Sequence, residues 1–387
     1  MNLADLTDKQ LRSRDFPITR SKVFLAHAAA SPYCSPVSEA IRGYCERNAT
    51  DGQWEYLYGD IERELRHLAA ELFGGSEQEI ALVSSTSMGL AIVAAGLCWR
   101  HGDNVVIADG DFPANIYPWL NLKTEGVEIR FVPKHHDGSL YPEDLEKLVD
   151  VRTRLVSLSS VNYVTGFKID IDAIGDFLHS RNILFCVDAV QSLGTIPFSS
   201  KYVDFAAGSA HKWLMGPMGI GLLFVKKENL EKLQCRLVGW KTVKENKHYL
   251  EYNLEFPDSA RRYEMGSPNA LGIVGLHAAL KMLLEVGIEN IARRLALLTL
   301  HLPGRLIEAG FELVSPPGTV RADGIVSFTS DKVDITRLRQ SLDSLGFIVS
   351  LRETLDNRKC IRISPHFYNL EEEITALLDL LMTTTHQ

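Results

Sequence analysis

The residues with the clearest chemical potential lie directly after short runs that are typical of strands. Residues 183–187 are apolar and lead into Asp188, with Gln191 three residues further on. Residues 203–207 lead into the segment 208–212, which reads Gly-Ser-Ala-His-Lys. Functional side chains in an open α/β sheet collect just past the carboxyl ends of its strands. An acid, an amide, a hydroxyl, an imidazole and a lysine are therefore predicted to share one edge of a sheet.

A phosphate site is indicated where the strand-like run at residues 81–83 leads into a helix predicted at 87–99. The N–H groups and the dipole at the start of a helix favour an anion. Hydroxyl and imidazole side chains close to that helix start add further hydrogen-bond donors. The side chains that could supply them are Thr86, Ser87, Ser209 and His211.

Asp188 and Lys212 complete a set that points to one cofactor. A carboxylate buried at a strand end needs a cation, and a protonated pyridine nitrogen is such a cation. The amine of Lys212 can form an imine with an aldehyde if burial and nearby cations lower its pKa. Phosphate, pyridinium and imine together indicate pyridoxal 5′-phosphate (PLP).

The elements that position these residues alternate between strands and helices from residue 79 to residue 225. Strands are predicted at 105–108, 127–132, 155–159, 183–187 and 219–225, and helices at 87–99, 115–122, 142–148 and 171–180. Near-continuous apolar strands that alternate with helices are typical of a mostly parallel sheet covered on both faces. The predicted fold class is therefore α/β.

The pattern changes after about residue 267, which predicts a second, smaller α+β unit. Its helices are predicted at 269–286, 289–309, 335–345 and from 370, and its strands at 324–329, 347–351 and 360–364. The predicted organisation is an N-terminal arm at 1–20, a large domain at 21–266 and a small C-terminal domain at 267–387. The first helices of the large domain, at 36–46 and 60–73, are expected to contribute partly to the small domain.

Composition restricts the class of function. The 387 residues carry 41 Lys and Arg against 49 Asp and Glu, a formal net charge of −8, without a basic block. This argues against nucleic-acid binding. An apolar run long enough for a membrane span is absent, as is the apolar stretch of a secretory signal. Six cysteines without a C-x-x-C pair favour buried thiols in a reducing compartment. We therefore predict a cytoplasmic protein with a small-molecule substrate, no nucleic-acid or membrane partner and no metal.

Five segments, in order along nearly the whole chain, resemble the class V aminotransferase / cysteine desulfurase family of fold-type I PLP enzymes, in its isopenicillin N epimerase-like branch. They are residues 28–32, 187–192, 209–221, 264–269 and 362–369. The resemblance implies a large PLP-binding domain with a mostly parallel, seven-stranded-type sheet between helices, and a smaller α+β domain. It also implies a homodimer with active sites at the interface.

The resemblance assigns a role to each candidate residue around the cofactor. Lys212 is the Schiff-base lysine and proton carrier, Asp188 pairs with the pyridinium, and His211 joins them as a catalytic residue. Gln191 and Asn162 bond the phenolic oxygen of the ring. The phosphate ligands are Thr86, Ser87, Ser209 and His211, with Ser267 from the partner subunit.

Substrate contacts follow from the same resemblance. Arg362 holds the α-carboxylate as a planar fork, and Asn162 also touches it. His27 and Arg352 are predicted to contact the substrate. Phe112 falls where many relatives place a histidine over the ring, and a phenyl stacks without moving a proton.

Several structural alternatives stay open at this stage. Arg362 could pair with Glu371 or Glu372, and His27 could be a buried, hydrogen-bonded histidine. Asn162 and Gln191 could be plain turn or cap residues. The aromatic residues Trp54, Tyr56 and Tyr58 could cover the pocket or pack in the core.

The predicted reaction depends on one missing side chain. Residues 351–359 contain no cysteine, whereas persulfide-forming relatives carry one before the C-terminal arginine, and Cys360 is expected to be structural. An aminotransferase-like reaction at the α-carbon of an amino acid is therefore the leading prediction. A cysteine or cystine carbon–sulfur lyase and an amino-acid epimerase remain as alternatives, with a non-catalytic PLP-binding protein behind them.

Overall fold

A seven-stranded sheet forms the centre of the chain. The computed structural model describes residues 8–53, 60–133, 135, 137–244, 248, 250–316, 318, 324–354 and 356–384. Its strands are β1 (Val23–Phe24), β2 (Ile80–Val83), β3 (Asn104–Ala108), β4 (Glu128–Val132), β5 (Thr153–Ser159), β6 (Leu184–Asp188), β7 (Phe205–Ser209), β8 (Gly221–Val225), β9 (Glu312–Leu313), β10 (Val326–Thr329), β11 (Phe347–Ile348), β12 (Ser350–Glu353) and β13 (Lys359–Ile363).

Helices surround this sheet and build much of the C-terminal part. They are α1 (Lys9–Asp15), α2 (Ser35–Asn48), α3 (Asp60–Phe73), α4 (Thr86–Gly96), α5 (Tyr117–Asn121), α6 (Pro142–Glu146), α7 (Ile171–His179), α8 (Ala270–Val286), α9 (Ile288–Thr299), α10 (Leu302–Glu308), α11 (Ile335–Ser344) and α12 (Glu371–Thr384). No single helix in the described part of the chain is long and apolar enough to cross a membrane. Helix α8 and the helical segment 288–308 reach that length and apolarity only when they are taken together, and the two are bent by 76° at the break between them.

The large sheet confirms the predicted mostly parallel, seven-stranded architecture. Its strand order is β2-β8-β7-β6-β5-β3-β4. Four pairs of neighbouring strands are parallel: β4–β3, β3–β5, β5–β6 and β6–β7. Strand β8 runs antiparallel to both β7 and β2. Its strands are apolar on both sides because helices cover both faces. Val156 and Phe185 face a core that includes residues of α7 and α8, whereas Leu155 and Cys186 face one that includes residues of α4.

A four-stranded antiparallel sheet, in the order β12-β13-β10-β9, forms the second β unit. The N-terminal segment joins it near the C-terminal strands, since β1 pairs with β11 and Ala26 bridges to Ser364. Residues 23–26 therefore contact elements that lie more than three hundred positions later in the chain. The predicted division into domains stays a prediction.

Two predicted elements are wrong in their extent. Residues 289–309 form two helices rather than one, because α9 ends at Thr299 and Pro303 lies in the first turn of α10. Proline has no N–H to continue a helical hydrogen-bond ladder. The strand predicted at 347–351 is also divided, since β11 pairs with β1 and β12 pairs with β13.

Four charged side chains with little solvent exposure connect α3 to the segment that precedes α8. Lys241 Nζ lies 2.8 and 2.9 Å from the two carboxylate oxygens of Glu62. Arg66 Nη2 lies 2.7 Å from Glu264 Oε2, and Glu264 Oε1 accepts the N–H of Leu82 at 3.0 Å. Two positive and two negative groups thus balance each other away from water. Removal of one member leaves an uncompensated charge in a nearly dry site.

Glu264→Gln is expected to lower the free energy of unfolding by about 3 kcal/mol or more, because it leaves Arg66 and Lys241 with one carboxylate between them. Urea denaturation of the purified variant measures this change. Glu255→Gln is the matched control, since Glu255 pairs with Lys244 at 2.9 Å where both side chains are about half exposed. The control is expected to cost less than about 1 kcal/mol. Equal small losses in both variants would show that the buried cluster contributes no more to the free energy of unfolding than an exposed ion pair does.

Candidate active site

Asp188 ends β6 and lies deep inside the protein. It is 2% exposed, and its Oδ1 accepts the N–H of Val190 at 3.0 Å. Its Oδ2 has no hydrogen-bond partner among the residues that the structure describes. Burial raises the pKa of this carboxyl to about 7, and the charge of Asp111 acts in the same direction. A buried carboxylate oxygen without a donor is a ready partner for a cationic N–H group.

Lys212 lies in the loop that follows β7. Burial lowers the pKa of its ammonium to about 8. Asp188 opposes this shift, whereas the cationic side chains of Arg362 and Arg352 add to it. An amine with this pKa has a much larger neutral fraction near physiological pH than an ordinary lysine, and the neutral form can act as a nucleophile. Its Nζ lies 5.3 Å from the centroid of the Phe112 ring, where the resemblance predicts an aromatic face against the cofactor.

The loop around Lys212 is held from two directions. The N–H and hydroxyl of Ser31 donate to the carbonyls of His211 (2.7 Å) and Lys212 (2.5 Å). On the other side, the ring of His366 bonds the carbonyl of Trp213 at 3.0 Å. Met215 adopts a left-handed conformation with φ of 53°, and its N–H donates to the carbonyl of Lys212. The segment near residue 30 and the C-terminal segment therefore fix the lysine-bearing turn together.

The phosphate site predicted at the start of α4 is built on a reciprocal contact. The N–H of Thr86 donates to Ser209 Oγ at 2.7 Å, and the N–H of Ser209 donates to Thr86 Oγ1 at 2.9 Å. A Cβ on Gly89 would lie 2.7 Å from the Cβ of Ala207, so glycine allows α4 to lie directly on β7. The helix start, which the Ser85 side chain caps by accepting the N–H of Met88, is thereby held beside the loop that carries Lys212. Its dipole favours an anion there.

The remaining predicted phosphate ligands lie at different depths. Ser87 is exposed in the first turn of α4, and His211 is partly buried, with its pKa lowered by burial and by Lys212. Ser267 is exposed and borders a cavity that also includes Ser84 and Gly219. The contact of Ser267 with the phosphate of a partner subunit stays a prediction.

Gln191 and Asn162 use much of their hydrogen-bonding capacity within the chain. Gln191 Nε2 donates to the carbonyl of Ala28 at 3.1 Å, and its Oε1 accepts the indole N–H of Trp213 at 2.7 Å. Asn162 Oδ1 accepts the N–H groups of residues 164 and 165, both at 2.9 Å, which closes a turn. The side-chain oxygen of Asn162 therefore acts as a turn residue does, as the structural alternative predicted. Its amide nitrogen is the group that remains for a ligand.

Arg362 presents an incompletely bonded guanidinium. It is 1% exposed, and its Nη1 donates to the carbonyl of Tyr163, whereas its Nε and Nη2 have no partner in the described part of the chain. Burial, assisted by Arg352, lowers its pKa to about 9. The predicted alternative, an ion pair with Glu371 or Glu372, is wrong, because Arg362 has no carboxylate within 4.0 Å among the described residues and Glu371 pairs with Arg294 at 2.8 Å. Two free N–H groups on one guanidinium match the geometry of a carboxylate.

The position of His27 contradicts its predicted contact with a substrate. The ring is fully buried, with Nδ1 3.0 Å from the carbonyl of Ser364 and Nε2 2.9 Å from the hydroxyl of Tyr368. Both nitrogens are therefore occupied, and burial lowers the pKa of the ring well below its ordinary value. His27 links the N-terminal segment to the C-terminal one. The aromatic residues Trp54, Tyr56 and Tyr58 lie outside the described residues.

Sequence reasoning missed two residues beside the site, Asp111 and Tyr163. The buried carboxylate of Asp111 accepts the N–H of Phe112 at 2.7 Å, the hydroxyl of Ser159 at 2.6 Å and the amide of Asn115 at 2.9 Å. It therefore fixes the backbone that carries Phe112. Its position just after β3, with a polar residue four positions later, is the signal that could have identified it. The ring of Tyr163 meets that of Phe112 edge to face at 5.3 Å.

The residues at this site fit the predicted cofactor. Asp188 Oδ2 lacks a donor, the start of α4 is suited to an anion, and Lys212 has the lowered pKa of a nucleophilic amine. These are the three groups that PLP requires. Asp188 would hold the pyridinium, Lys212 would bind the aldehyde carbon, and Thr86 with Ser209 would frame the phosphate.

Comparisons with known proteins agree with this assignment. Residues 23–377 match the family described as Aminotransferase class-V. The chain is 32% identical to a probable cysteine desulfurase of Methanothermobacter thermautotrophicus, over 95% of this chain and 96% of that one. The fold superposes on an apo cysteine desulfurase from Thermococcus onnurineus NA1 with a TM-score of 0.88, at 24% identity and 98% coverage of each chain. It also superposes on the cystine C-S lyase C-DES in complex with its product cysteine persulfide, with a TM-score of 0.86, at 25% identity, covering 95% of this chain and 99% of that one.

The rate at which the cofactor-free protein captures PLP is expected to rise through pH 8, because the pKa of Lys212 is lowered to about 8 and the neutral amine is the reactive form. Stopped-flow absorbance between pH 6 and 10 measures this profile. Arg352→Gln removes one of the cations that lower this pKa, so its midpoint is expected at higher pH than that of the wild type. A wild-type midpoint near 10, or an unchanged midpoint in the variant, would contradict the electrostatic account.

Proposed function

The chain belongs to the class-V aminotransferase family, and on that premise we propose that it is a PLP-dependent enzyme acting at the α-carbon of an amino acid through Lys212. Three groups in one region carry the proposal: Asp188 Oδ2 and two nitrogens of Arg362 are buried without partners among the described residues, and Lys212 lies within the electrostatic reach of both. An acceptor for a pyridinium, a nucleophilic amine and a carboxylate-binding fork are what such an enzyme needs.

Each of these residues has a defined task in the proposed reaction. When bound, PLP supplies an electron-poor ring that stabilises negative charge at the substrate α-carbon. Asp188 keeps the pyridine nitrogen protonated, and Phe112 packs against the ring. Arg362 binds the α-carboxylate in a bidentate manner and thereby orients the α-hydrogen. Lys212 removes that proton and delivers it elsewhere, as a general base and then a general acid.

We propose transamination as the primary reaction. It requires a proton to leave the substrate α-carbon and be delivered to the aldehyde carbon of the cofactor, which would lie on the other side of the linking nitrogen, and Lys212 can perform both transfers. A persulfide route is not supported by the available thiol, because burial raises the pKa of Cys360 to about 11 and keeps it protonated. Epimerisation needs a proton donor on the face opposite Lys212, and Phe112, which is predicted to stack there, carries none.

Carbon–sulfur lysis is the second candidate. Its support is the similarity to the cystine C-S lyase C-DES, together with the lack of a cysteine in residues 351–359. Elimination needs removal of the α-proton and departure of a sulfur group, which Lys212 can serve without a protein thiol. The two candidates differ in their products, since transamination preserves the carbon–sulfur bond and lysis breaks it.

We further propose a cytoplasmic homodimer. The exposed side chains of Met218 (66%) and Leu271 (42%) lie on segments that flank Ser267. Trp240, which is 36% exposed, contacts the same region, since a Cβ on Gly266 would lie 3.5 Å from its Nε1. An apolar patch of this kind is typical of a protein–protein interface. Its position around Ser267 supports the idea that this serine serves the site of the partner.

Lys212→Ala is expected to reduce turnover by at least about 10³-fold, because it removes the proton carrier, while PLP still binds non-covalently through Asp188 and the start of α4. Product analysis with single amino acids measures the loss and identifies the reaction. A 2-oxo acid with an intact side chain indicates transamination, and pyruvate with sulfide or persulfide from cystine indicates lysis. Lys123→Ala, at an exposed position, is the control and should retain the wild-type rate. Wild-type turnover in Lys212→Ala would refute the proposed function.

A further inference from the structure

A second buried carboxylate, that of Asp111, lies within the electrostatic reach of Asp188 and has donors on both of its oxygens. Its Oδ1 accepts the N–H of Phe112 at 2.7 Å and the hydroxyl of Ser159 at 2.6 Å. Its Oδ2 accepts the side-chain amide of Asn115 at 2.9 Å and the N–H of Ser159 at 3.2 Å. Each oxygen therefore receives at least one N–H group, which can only donate. This set of donors stabilises the ionised form of Asp111.

The orientation of the Asn115 amide supports an ionised Asp111. Asn115 Oδ1 accepts the indole N–H of Trp119 at 3.0 Å and the hydroxyl of Ser157 at 2.6 Å, and all three side chains are fully buried. Because an indole N–H can only donate, the amide oxygen must face Trp119 and the amide nitrogen must face Asp111. Burial raises the pKa of Asp111, and its hydrogen bonds oppose that shift. The surrounding network is therefore arranged to hold a negative charge in a dry place.

Asp188 differs from Asp111 in how its charge is met. One Asp188 oxygen accepts a single N–H group, and the other has no partner among the residues that the structure describes. Ser159 adjoins both carboxylates, because it is the register partner of Asp188 in the pairing of β5 with β6 and also bonds Asp111. Of the two carboxylates, Asp188 is therefore the one that a proton or a cation can still satisfy.

The charges of these groups act on one another across the site. Burial raises the pKa of Asp188 to about 7, and the charge of Asp111 adds to that shift. Burial lowers the pKa of Lys212 to about 8, and the two carboxylates oppose that shift. Burial also raises the pKa of the Tyr163 phenol, with Asp111 acting in the same direction. The other charged or titratable groups that interact with Lys212 are Arg362, Arg352 and His211.

We propose that Asp111 is a positioning residue of the cofactor site, whose fixed charge acts through Asp188 to favour a cationic ring nitrogen and through Lys212 to control the charge of the amine. The inference rests on the proposed function, in which Asp188 takes the pyridinium of PLP. Two like charges in a buried region repel each other, and a cation at Asp188 relieves that repulsion. Asp111 thus contributes to the selection of the protonated ring, although the hydrogen bonds of its own oxygens go to the chain.

The pH profile of PLP capture by the cofactor-free protein tests the charge of Asp111. Asp111→Asn keeps the size of the side chain and removes a charge that raises the pKa of Lys212, so the midpoint is expected to fall from about pH 8 by about half a pH unit or more. Ser159→Ala removes one donor and keeps the charge, so its midpoint is expected to match that of the wild type. An unchanged midpoint in Asp111→Asn would overturn the inference, whereas a wild type that captures no PLP would overturn the proposed function.

Asp204→Asn is the matched control for the loss of a buried, hydrogen-bonded carboxylate. Asp204 accepts the N–H of Phe185 at 2.7 Å and the side-chain amide of Asn229 at 2.6 Å. It directly precedes β7, whereas Lys212 follows that strand, so it lies towards the other end of the sheet. The control is expected to keep the wild-type midpoint. The same shift in both variants would show that structural disruption, rather than the charge of Asp111, moves the midpoint, and would overturn the inference.

The action through Asp188 is tested with 4′-deoxypyridoxine 5′-phosphate, which lacks the aldehyde and cannot react with Lys212. Calorimetric titration of the cofactor-free protein at pH 8, where Asp188 is largely ionised, gives its Kd. Asp111→Asn is expected to bind this analogue about ten-fold more weakly than the wild type, because one attractive charge is lost. A second neutral substitution, Asp111→Ser, carries the same expectation and is measured if Asp111→Asn does not fold.

Asp204→Asn is again the control and should keep the wild-type Kd. Equal Kd values for the wild type and the neutral variants of Asp111 would overturn the inference. A wild type that does not bind the analogue would instead contradict the proposed cofactor site.

Discussion

The site depends on one buried carboxylate that the chain leaves half satisfied. Asp188 has one oxygen bonded by the backbone of Val190 and the other without a donor in the described part of the chain. The parallel pairing of β6 with β5 and β7 holds Asp188 where the carboxyl ends of these strands meet, and Ser159 and Ala207 are its partners in the strand register. Because burial makes its charge costly, a bound pyridinium would stabilise the protein as well as the reaction.

The rest of the structure delivers complementary groups to that carboxylate. The α/β sheet brings Lys212 and the start of α4 to the same edge, and the antiparallel sheet carries Arg352 and Arg362, whose charges reach Lys212. His27 and Ser31 connect the two, since one bonds the C-terminal segment and the other the lysine-bearing loop. An amino acid bound between them would therefore contact elements from both ends of the chain.

Local patterns predicted most of the fold and the polar residues at strand ends. Continuous apolar runs identified the strands, and the positions of Asp188 and Lys212 followed from them. The pairing of β1 with β11 could not be predicted from the sequence, because two-residue strands are too short to show a periodic pattern. His27 could not be assigned for a related reason: its partners Ser364 and Tyr368 are 337 and 341 positions away. Tyr163 was missed because its role comes from a three-dimensional neighbour, Phe112, rather than from a motif.

The central claim is that one amine, on Lys212, holds the cofactor opposite the Asp188 carboxylate. Borohydride reduction of the PLP-loaded protein, followed by proteolysis and mass spectrometry of the peptides, tests it most directly. The account predicts a stoichiometric pyridoxyl modification at Lys212 and none at the surface lysines. An unmodified Lys212, or a modification that lies predominantly on another lysine, would contradict it.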